Sequence, residues 1–485
     1  YDYKLIIEKK VIGPIIMQNV KRERIDLVEY GKKLGIEVRE VSSIVEALKY
    51  FTGYSVDMEI KELPQLSPKV ISITKEWYEE ALNVYIHYRD IVKNLLGIMP
   101  INIKSVVNDL LQSAELYAKE AKDLADGGEF YAAASKMLMA TYRVLTASYI
   151  AKVGTAKESE EVIKDIFQEA NSTIMDILSD VYMRKVSNTH DLSVLSAAQS
   201  RIVESIYYLN IAFKSYKEGY VLDSLANLAY AVLRAKTAAM WLKLLGIREA
   251  YSINLGMIKE IASALLYNAE TVYDYTSLLI SESGSQSSEA INFLKESEKY
   301  LSMAKLALDM NLTLAVLELA SKASSLASAA VHTTFSIALD EVVKTIRNYA
   351  LFWVAKASDI GSEVSSLLLL DLANLCLNES DYVTAVLYYT LATTIAQSSI
   401  LASGILTASQ TITRTETVTP RTIQTLTKII TITNTITITH TEMPEKTLTI
   451  TKYMTLTTTL RAPISTPSML QIASVSYTHL TLPTN

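Results

Sequence analysis

The side chains that most often perform chemistry in proteins are few in this chain, and they lie far apart in the sequence. The five histidines are His87, His190, His332, His440 and His479. Their separations match none of the spacings that hold a zinc ion or a similar metal ion. The single cysteine, Cys376, excludes a disulfide within the chain and a thiolate metal site. We therefore predict no metal site, no cofactor and no assignable catalytic residue in this chain.

The neighbours of these residues favour structural roles. Cys376 lies in the leucine-rich run Leu367–Leu377, which indicates a small core residue on a helix rather than a reactive thiol. His190-Asp191 follows an Asn-Thr turn, and we interpret the pair as a helix start rather than a catalytic dyad. Glutamates of the run Glu158–Glu161 suit the positive end of a helix dipole, so we predict a solvated helix start there. The sequence shows no glycine-rich phosphate loop or nucleotide-binding fingerprint.

Tyrosine is abundant, with 29 residues in the chain. Adjacent pairs occur at Tyr207-Tyr208 and at Tyr388-Tyr389. Such side chains either pack between helices or line a groove that binds a peptide. Helix packing is the simpler interpretation, and a peptide groove is the alternative.

Composition favours a mainly α protein. Apolar residues make up 49% of the 485 residues and charged residues 20%, which suits a chain that buries a large core. The 14 glycines and 9 prolines are few for this length, which indicates long helices with short connections. The net charge of −6 is small and spread along the chain, so we predict no nucleic-acid partner.

The region from residue 73 to 406 has the pattern of an antiparallel α-helical bundle or an array of helical hairpins. One predicted helix carries a single apolar stripe, and the next repeats the pattern through Ala134, Leu138, Thr141 and Leu145. The stripe consists of Val107, Leu110, Ala114, Tyr117, Ala121 and Leu124. Further long helices are predicted near residues 156–187 and 252–283.

Four similar segments each predict a turn between two amphipathic helices. They are Asp126–Ala134, Lys217–Ala226, Asp309–Val316 and Asn378–Val386. The turns follow one another at separations of about 90, 92 and 70 residues, so they define no strict solenoid period.

Residues 1–53 have the pattern of the end of an α/β domain. We predict short strands at Lys4–Ile7 and Val11–Met17, around Gly13-Pro14. Asp26 is placed to cap a helix over Leu27–Leu34 that ends at Gly35. The alternating residues Ile36–Val41 predict a strand. A second helix is predicted over Ile44–Phe51, capped by Ser42 or Ser43 and ended by Gly53.

The segment Ile25–Gly53, with the sequence IDLVEYGKKLGIEVREVSSIVEALKYFTG, resembles the last helix, strand and helix of the Lon-type proteolytic domain. The resemblance is closest to the exported, ATP-independent archaeal branch of that peptidase family, and it covers about a tenth of the chain. It implies a serine nucleophile and a lysine base, both upstream of the matched segment. Neither residue is therefore assigned here. Helix–strand–helix closing units are also common in other α/β domains.

Residues 54–72 are predicted to be a linker because prolines interrupt a polar segment. At the other end of the helical region, Val386–Leu406 is apolar and long enough to cross a bilayer. Its threonines and serines favour a buried helix of the bundle, and a transmembrane helix is the alternative.

The composition changes sharply after residue 406. Threonine occupies 22 positions between Thr407 and Thr459, often alternating with isoleucine or leucine. We predict a threonine-rich, glycosylated stalk over residues 407–462, with a packed β domain as the alternative. Within the tail, 463–485, the last residues from about 475 resemble the translation of a sequencing adapter. Three candidate N-glycosylation sites occur at Asn171, Asn311 and Asn378.

Together these patterns predict the carboxy-terminal part of a secreted or membrane-anchored Lon-like serine endopeptidase. The chain itself is expected to be inactive, and its partner would be a polypeptide substrate bound with the upstream domain. The helical region is expected to act as a spacer, to present substrate or to form a homo-oligomer. The alternative is a non-catalytic helical scaffold or binding protein at the cell surface, carried on a glycosylated stalk.

Overall fold

A computed structural model describes residues 2–12, 15–41, 44–53, 63, 65–283, 287–335 and 339–404. Most of these residues are helical, which confirms the predicted mainly α fold class. The predicted stalk at 407–462 and the tail at 463–485 lie outside the described residues, together with residues 54–62 of the predicted linker.

The chain begins with an antiparallel hairpin. Strands β1 (Asp2–Ile12) and β2 (Ile15–Ile25) pair along their whole length, from Ile12 opposite Ile15 to Asp2 opposite Ile25. The predicted strand Lys4–Ile7 lies within β1, which is longer, whereas the predicted strand Val11–Met17 is wrong because its residues are divided between the end of β1 and the start of β2.

Helix α1 (Leu27–Leu34) confirms the predicted cap and stop. The Asp26 carboxylate accepts hydrogen bonds from the backbone amides of Val28 and Glu29, at 2.9 and 3.2 Å. Gly35 ends the helix in the left-handed conformation, with φ at 72°. Helix α2 (Ile44–Thr52) follows, and Gly53 also has a positive φ.

The strand predicted over residues 36–41 is wrong, because these residues form no regular structure. A strand needs a neighbouring strand for its backbone hydrogen bonds, and this segment pairs with neither of the described strands. The segment instead folds back on α1. A Cβ on Gly31 would lie 2.4 Å from Cγ2 of Val38, so only glycine permits this approach.

Twelve further helices follow among the described residues. Their bounds are α3 (Pro68–Leu95), α4 (Ile101–Asp126), α5 (Phe130–Thr155), α6 (Ser159–Met183), α7 (Thr189–Lys217), α8 (Val221–Leu242), α9 (Leu255–Ser283), α10 (Ser288–Asp309), α11 (Ala315–Thr334), α12 (Leu339–Ser358), α13 (Val364–Asn378) and α14 (Tyr382–Ala402). Helices α6 and α9 are the two long helices predicted near 156–187 and 252–283. Helix α3 begins earlier than the predicted boundary at residue 73, because Ser67 caps it and proline is well accepted in a first turn.

These helices form four units of three. In each unit the first and second helices both pack on the third. The units are α3–α5, α6–α8, α9–α11 and α12–α14. They pack against one another, with α7 in contact with α11 and α14, and α13 in contact with α5. The predicted hairpins are thus the second and third helices of larger repeated units.

The four predicted turns are confirmed, and they share one backbone conformation. A residue with positive φ follows the second helix of each unit. The next residue donates its amide to the carbonyl five residues earlier, at 2.8 to 3.0 Å, which is the pattern of a Schellman turn. The left-handed residues are Gly128 (φ 85°), Gly219 (87°), Asn311 (56°) and Ser380 (62°).

In the second and third units, a small residue of the second helix hydrogen-bonds to the backbone of the third helix. The Ser205 hydroxyl bonds to the carbonyl of Ala231, and the Ser297 hydroxyl to that of Ala323; each pair is separated by 26 residues. Small residues with the same separation recur in the other two units. These pairs are Ala114 with Ala140 and Ser366 with Ala392, and all eight residues are 0% exposed.

Helix α14 is a buried helix of the last unit. It is the one described helix that is long and apolar enough to span a membrane, yet 78% of its apolar window is buried in the protein. It packs on α12, α13 and α11. Its burial accords with the predicted role as the final helix of the bundle.

Candidate functional site

The structure keeps the histidines apart. His87 is exposed on α3, whereas His190 on α7 and His332 on α11 are buried. Among the described residues, no group of three or more His, Cys, Asp or Glu side chains is arranged to hold a metal ion. His440 and His479 lie outside the described residues.

His190 and Asp191 form a helix start, as predicted. Nε2 of His190 lies 2.9 Å from the carbonyl oxygen of Leu244 and donates to it. The Asp191 carboxylate accepts from the amide of Gly246 at 2.9 Å and from the side chain of Asn188 at 2.9 Å. The two side chains therefore serve different partners and do not form a dyad.

Cys376 is half-buried near the end of α13. Burial raises the pKa of its thiol to about 11, and the charges of Asp381 and Glu379 add to the increase. At neutral pH the thiolate, which is the reactive form, is therefore scarce. This environment favours the predicted role as a packing residue.

The three candidate glycosylation sites are exposed. Asn171 lies within α6, Asn311 is the left-handed residue of the third turn, and Asn378 is the last residue of α13. Two of the three therefore lie at equivalent turns of the repeated units.

The two tyrosine pairs differ in their surroundings. Tyr389 is fully buried, and its hydroxyl donates to Oδ1 of Asn374 at 2.6 Å, which is a packing role. Tyr208 is half-buried, and its ring lies 4.5 Å from that of Tyr230. Tyr208 and Tyr230 adjoin a polar site where α7, α8 and α11 meet.

Helices α7 and α11 run in the same direction and touch through a row of polar contacts. Ser196 bonds to the carbonyl of Leu314, Ser200 to the carboxylate of Glu318, and Lys322 to the carboxylate of Glu204. Each contact joins residues that are 118 positions apart. Because the separation between partners is constant, the two helices are parallel and in register. Along each helix the successive partners are four residues apart, which keeps them on one face.

At the end of this row lies an ionic cluster of five side chains. Its members are Arg201 and Glu204 on α7, Arg234 on α8, and Glu318 and Lys322 on α11. Arg234 forms a close ion pair with Glu204, which also accepts from Lys322 at 2.7 Å. Arg201 lies 3.5 Å from Glu318, a looser pairing.

Aromatic rings surround the ionic cluster. The Arg201 guanidinium lies 4.6 Å from the ring centre of Trp241, and Nζ of Lys322 lies 5.4 Å from that of Tyr300. Such contacts stabilise a cation through the negative face of the ring. Burial raises the pKa of Tyr300 far above its usual value, so its hydroxyl keeps its proton.

The charges of the cluster depend on one another. Burial by itself would raise the pKa of Glu204, but Arg234 and Lys322 overcome this effect and lower it to about 2. Arg234 is also buried, which opposes its charge, yet the negative charge of Glu204 raises its pKa. Glu204 and Arg234 are therefore both ionised at neutral pH.

A shallow groove lies elsewhere, between α3 and α4. It has a volume of about 430 Å³ and is lined by side chains of both helices and of the start of α5. The lining includes Tyr78, Leu82, Lys122, Phe130 and Met137. Lys122 is paired with Asp126 at 2.6 Å, so its charge is already neutralised.

Sequence patterns did not reveal the ionic cluster, because its contacts join helices that are far apart in the chain. Comparisons with protein-family models, curated proteins and solved structures found no match to this chain. The similarity of Ile25–Gly53 to the Lon-type domain therefore rests on the sequence alone.

Proposed function

We propose that the helical region is a polypeptide-binding module that presents substrate to a Lon-like serine peptidase domain. The domain would end in residues 1–53 of this chain, and its Ser–Lys pair would lie upstream of the segment Ile25–Gly53. The reaction of the parent protein is peptide-bond hydrolysis outside the cell or at its surface.

The observation that supports a binding role is the repetition of one three-helix unit four times. Stacked helical repeats offer extended surfaces, and such surfaces commonly bind polypeptide segments. The ionic cluster adds charged and aromatic groups at the junction of the second and third units, where α7, α8 and α11 meet. These groups suit the polar backbone and charged termini of a peptide better than an apolar ligand.

A binding experiment tests this proposal. The chain is titrated into a fluorescently labelled, permanently unfolded polypeptide such as reduced and carboxymethylated casein, and anisotropy is recorded. We expect saturable binding, and no binding of an equally labelled folded protein. Equal responses to the folded and unfolded ligands, or no response to either, would contradict a polypeptide-binding role.

Catalysis is tested separately. We expect the chain alone to leave casein and peptide reporters intact, because the Ser–Lys pair that the resemblance implies is not assigned to it. Cleavage that a serine-directed reagent blocks would contradict this expectation. In genomic DNA, the proposal requires an upstream serine in a small-residue loop, followed by a lysine about 40 residues later.

The second candidate is a non-catalytic scaffold at the cell surface, and the exposed sequons favour it. Asn311 and Asn378 lie at turns on the outside of the helical units, where a glycan would be accommodated. The threonine-rich segment 407–462 would then be a glycosylated stalk. An upstream sequence without the serine and lysine would favour this scaffold over the peptidase.

A further inference from the structure

We propose that the ionic cluster on α7, α8 and α11 binds the carboxylate of a polypeptide ligand, with Arg201 as the residue that contacts it. This inference deepens the proposed function and rests on it. The charge of the cluster, the exposure of its members and the aromatic rings beside it support this assignment.

The cluster contains one more positive than negative charge. Arg201, Arg234 and Lys322 face only two carboxylates, those of Glu204 and Glu318. An uncompensated charge in a largely buried site is costly, and a bound anion removes that cost. The excess of a single charge matches a carboxylate, which carries one negative charge.

The positive members of the cluster are less deeply buried than the carboxylates. The side chains of Glu204 and Glu318 are 1% and 4% exposed, whereas those of Arg201 and Lys322 are each 11% exposed and that of Arg234 is 19% exposed. The carboxylates thus lie beneath the cations, so an approaching ligand meets guanidinium and ammonium groups first.

Among the three cations, Arg201 is held most loosely by the carboxylates and has hydrogen-bond donors left for a new partner. Glu204 holds both Arg234 and Lys322 closely, whereas Glu318 already accepts from Ser200 at 2.7 Å and lies 3.5 Å from Arg201. One guanidinium nitrogen of Arg201 donates to its own helix, at the carbonyl of Ala197. A guanidinium has five donors, so several remain to bind both oxygens of a carboxylate.

The neighbouring rings indicate that the carboxylate belongs to a peptide rather than to a small inorganic anion. Trp241 lies under Arg201, and Tyr208 and Tyr230 form a ring pair close to Arg234 and Glu204. Trp241 is 3% exposed and only supports Arg201 from beneath. Tyr208 and Tyr230 are partly exposed, and their rings provide an apolar surface for the side chain next to the carboxylate. A chain terminus combines both features, because its carboxylate is attached directly to a residue with a side chain.

Calorimetric titration with a matched pair of ligands tests the inference. The probes are acetylated alanyl-alanyl-phenylalanine with a free carboxylate and the same peptide with a terminal amide. We expect the acid to bind the intact chain about tenfold to a hundredfold more tightly than the amide, the range for a charge-assisted hydrogen bond. Equal affinities, or no binding of the acid, would overturn the proposal without any variant being needed.

Variants then locate the site. Arg201→Met keeps the aliphatic stem over Trp241 and removes the charge, and we expect it to abolish the preference for the acid. Lys305→Met is the matched control, because it removes a positive charge that is 58% exposed and paired with Glu270 on another helix. An unchanged preference in Arg201→Met, or its loss in Lys305→Met, would contradict the assignment.

This result is separable from the casein experiment. Binding of unfolded casein without any preference for the acid peptide would overturn the carboxylate site and leave the polypeptide-binding module intact. Failure to bind casein would overturn the module, whatever the tripeptides do.

Discussion

The hydroxyl of Ser205 on α7 donates a hydrogen bond of 2.7 Å to the backbone carbonyl oxygen of Ala231 on α8. Both residues are fully buried, and the short side chains let the two helices approach closely. The bond satisfies a hydroxyl that has no access to water. Ser297 and Ala323 form the equivalent bond, also of 2.7 Å, in the third unit.

We expect Ser205→Leu to lower the free energy of unfolding by about 2–3 kcal/mol, because the larger side chain forces the helices apart. Ser205→Ala should cost about 1 kcal/mol, the value of one buried hydrogen bond. Urea unfolding followed by circular dichroism measures both. The control is Ser302→Ala, whose exposed hydroxyl bonds only within its own helix; an equal loss there would argue against a special contact at Ser205.

Substitutions at two of the left-handed turn residues should change stability in opposite directions. Gly219→Ala should lower stability by about 1 kcal/mol, because a Cβ is unfavourable at a φ of 87°. Ser380→Gly should raise stability by about 0.5 kcal/mol, because it relieves the same cost at a φ of 62°. Thermal unfolding of the two variants checks the signs. Stabilisation by Gly219→Ala would contradict the common turn geometry.

Glu204→Gln should lower the free energy of unfolding by about 3–5 kcal/mol, because it leaves Arg234 buried without a negative partner and leaves Lys322 with Glu318 alone, at 3.9 Å. Urea unfolding at pH 7 measures the loss. Glu341→Gln removes an exposed pair with Lys344 and should change stability by less than about 1 kcal/mol. Equal losses in both variants would contradict a buried cluster.

The same carboxylate predicts acid sensitivity. The pKa of Glu204 falls from about 4.3 in the unfolded chain to about 2 in the folded chain. Its contribution, about 3 kcal/mol, is therefore present above pH 4.3 and is lost as pH falls towards 2. In Glu204→Gln, stability should change less over that window than in the unaltered protein.

His332 predicts a second pH dependence, at higher pH. Burial lowers its pKa from 6.5 to about 4, and its Nδ1 has no hydrogen-bond partner among the described residues. The unfolded chain therefore takes up a proton first, and about 3 kcal/mol of stability is lost as pH falls from 6.5 to 4. His332→Gln should flatten the stability profile there, whereas His87→Gln, at an exposed position, should leave it unchanged.

Cys376 provides a test that needs no variant, since it is the single cysteine. With its pKa raised to about 11, the native thiol should react with a disulfide reagent at pH 8 about 100-fold more slowly than in urea. Absorbance of the released thiolate gives both rates. Equal rates would indicate an exposed, reactive thiol.

Local sequence signals predicted the helices and the four turns, because each depends on residues that are close together in the chain. Asp26 and Gly35 marked the ends of α1 for the same reason. The strand over residues 36–41 was predicted wrongly, since alternation alone does not supply a partner strand. The grouping of helices in threes was missed, because its signal is small residues such as Ala231 and Ala323 rather than large apolar ones.

The ionic cluster also could not be predicted from residues that are close together in the sequence. Glu204 and Lys322 are 118 positions apart, and each resembles an ordinary helix surface charge when its own neighbours are considered. Only the parallel packing of α7 against α11 brings them together. The register of these two helices, and not either sequence alone, determines the site.

The fixed separation of 26 residues between paired small residues restricts how such a chain can change length during evolution. An insertion or deletion of one residue between Ser205 and Ala231 would rotate the rest of the helix by about 100° and turn a large side chain into the contact. Length changes are tolerated only outside this span. In the last unit, α13 is short and begins at Val364, yet the separation of 26 residues between the buried Ser366 and Ala392 is retained.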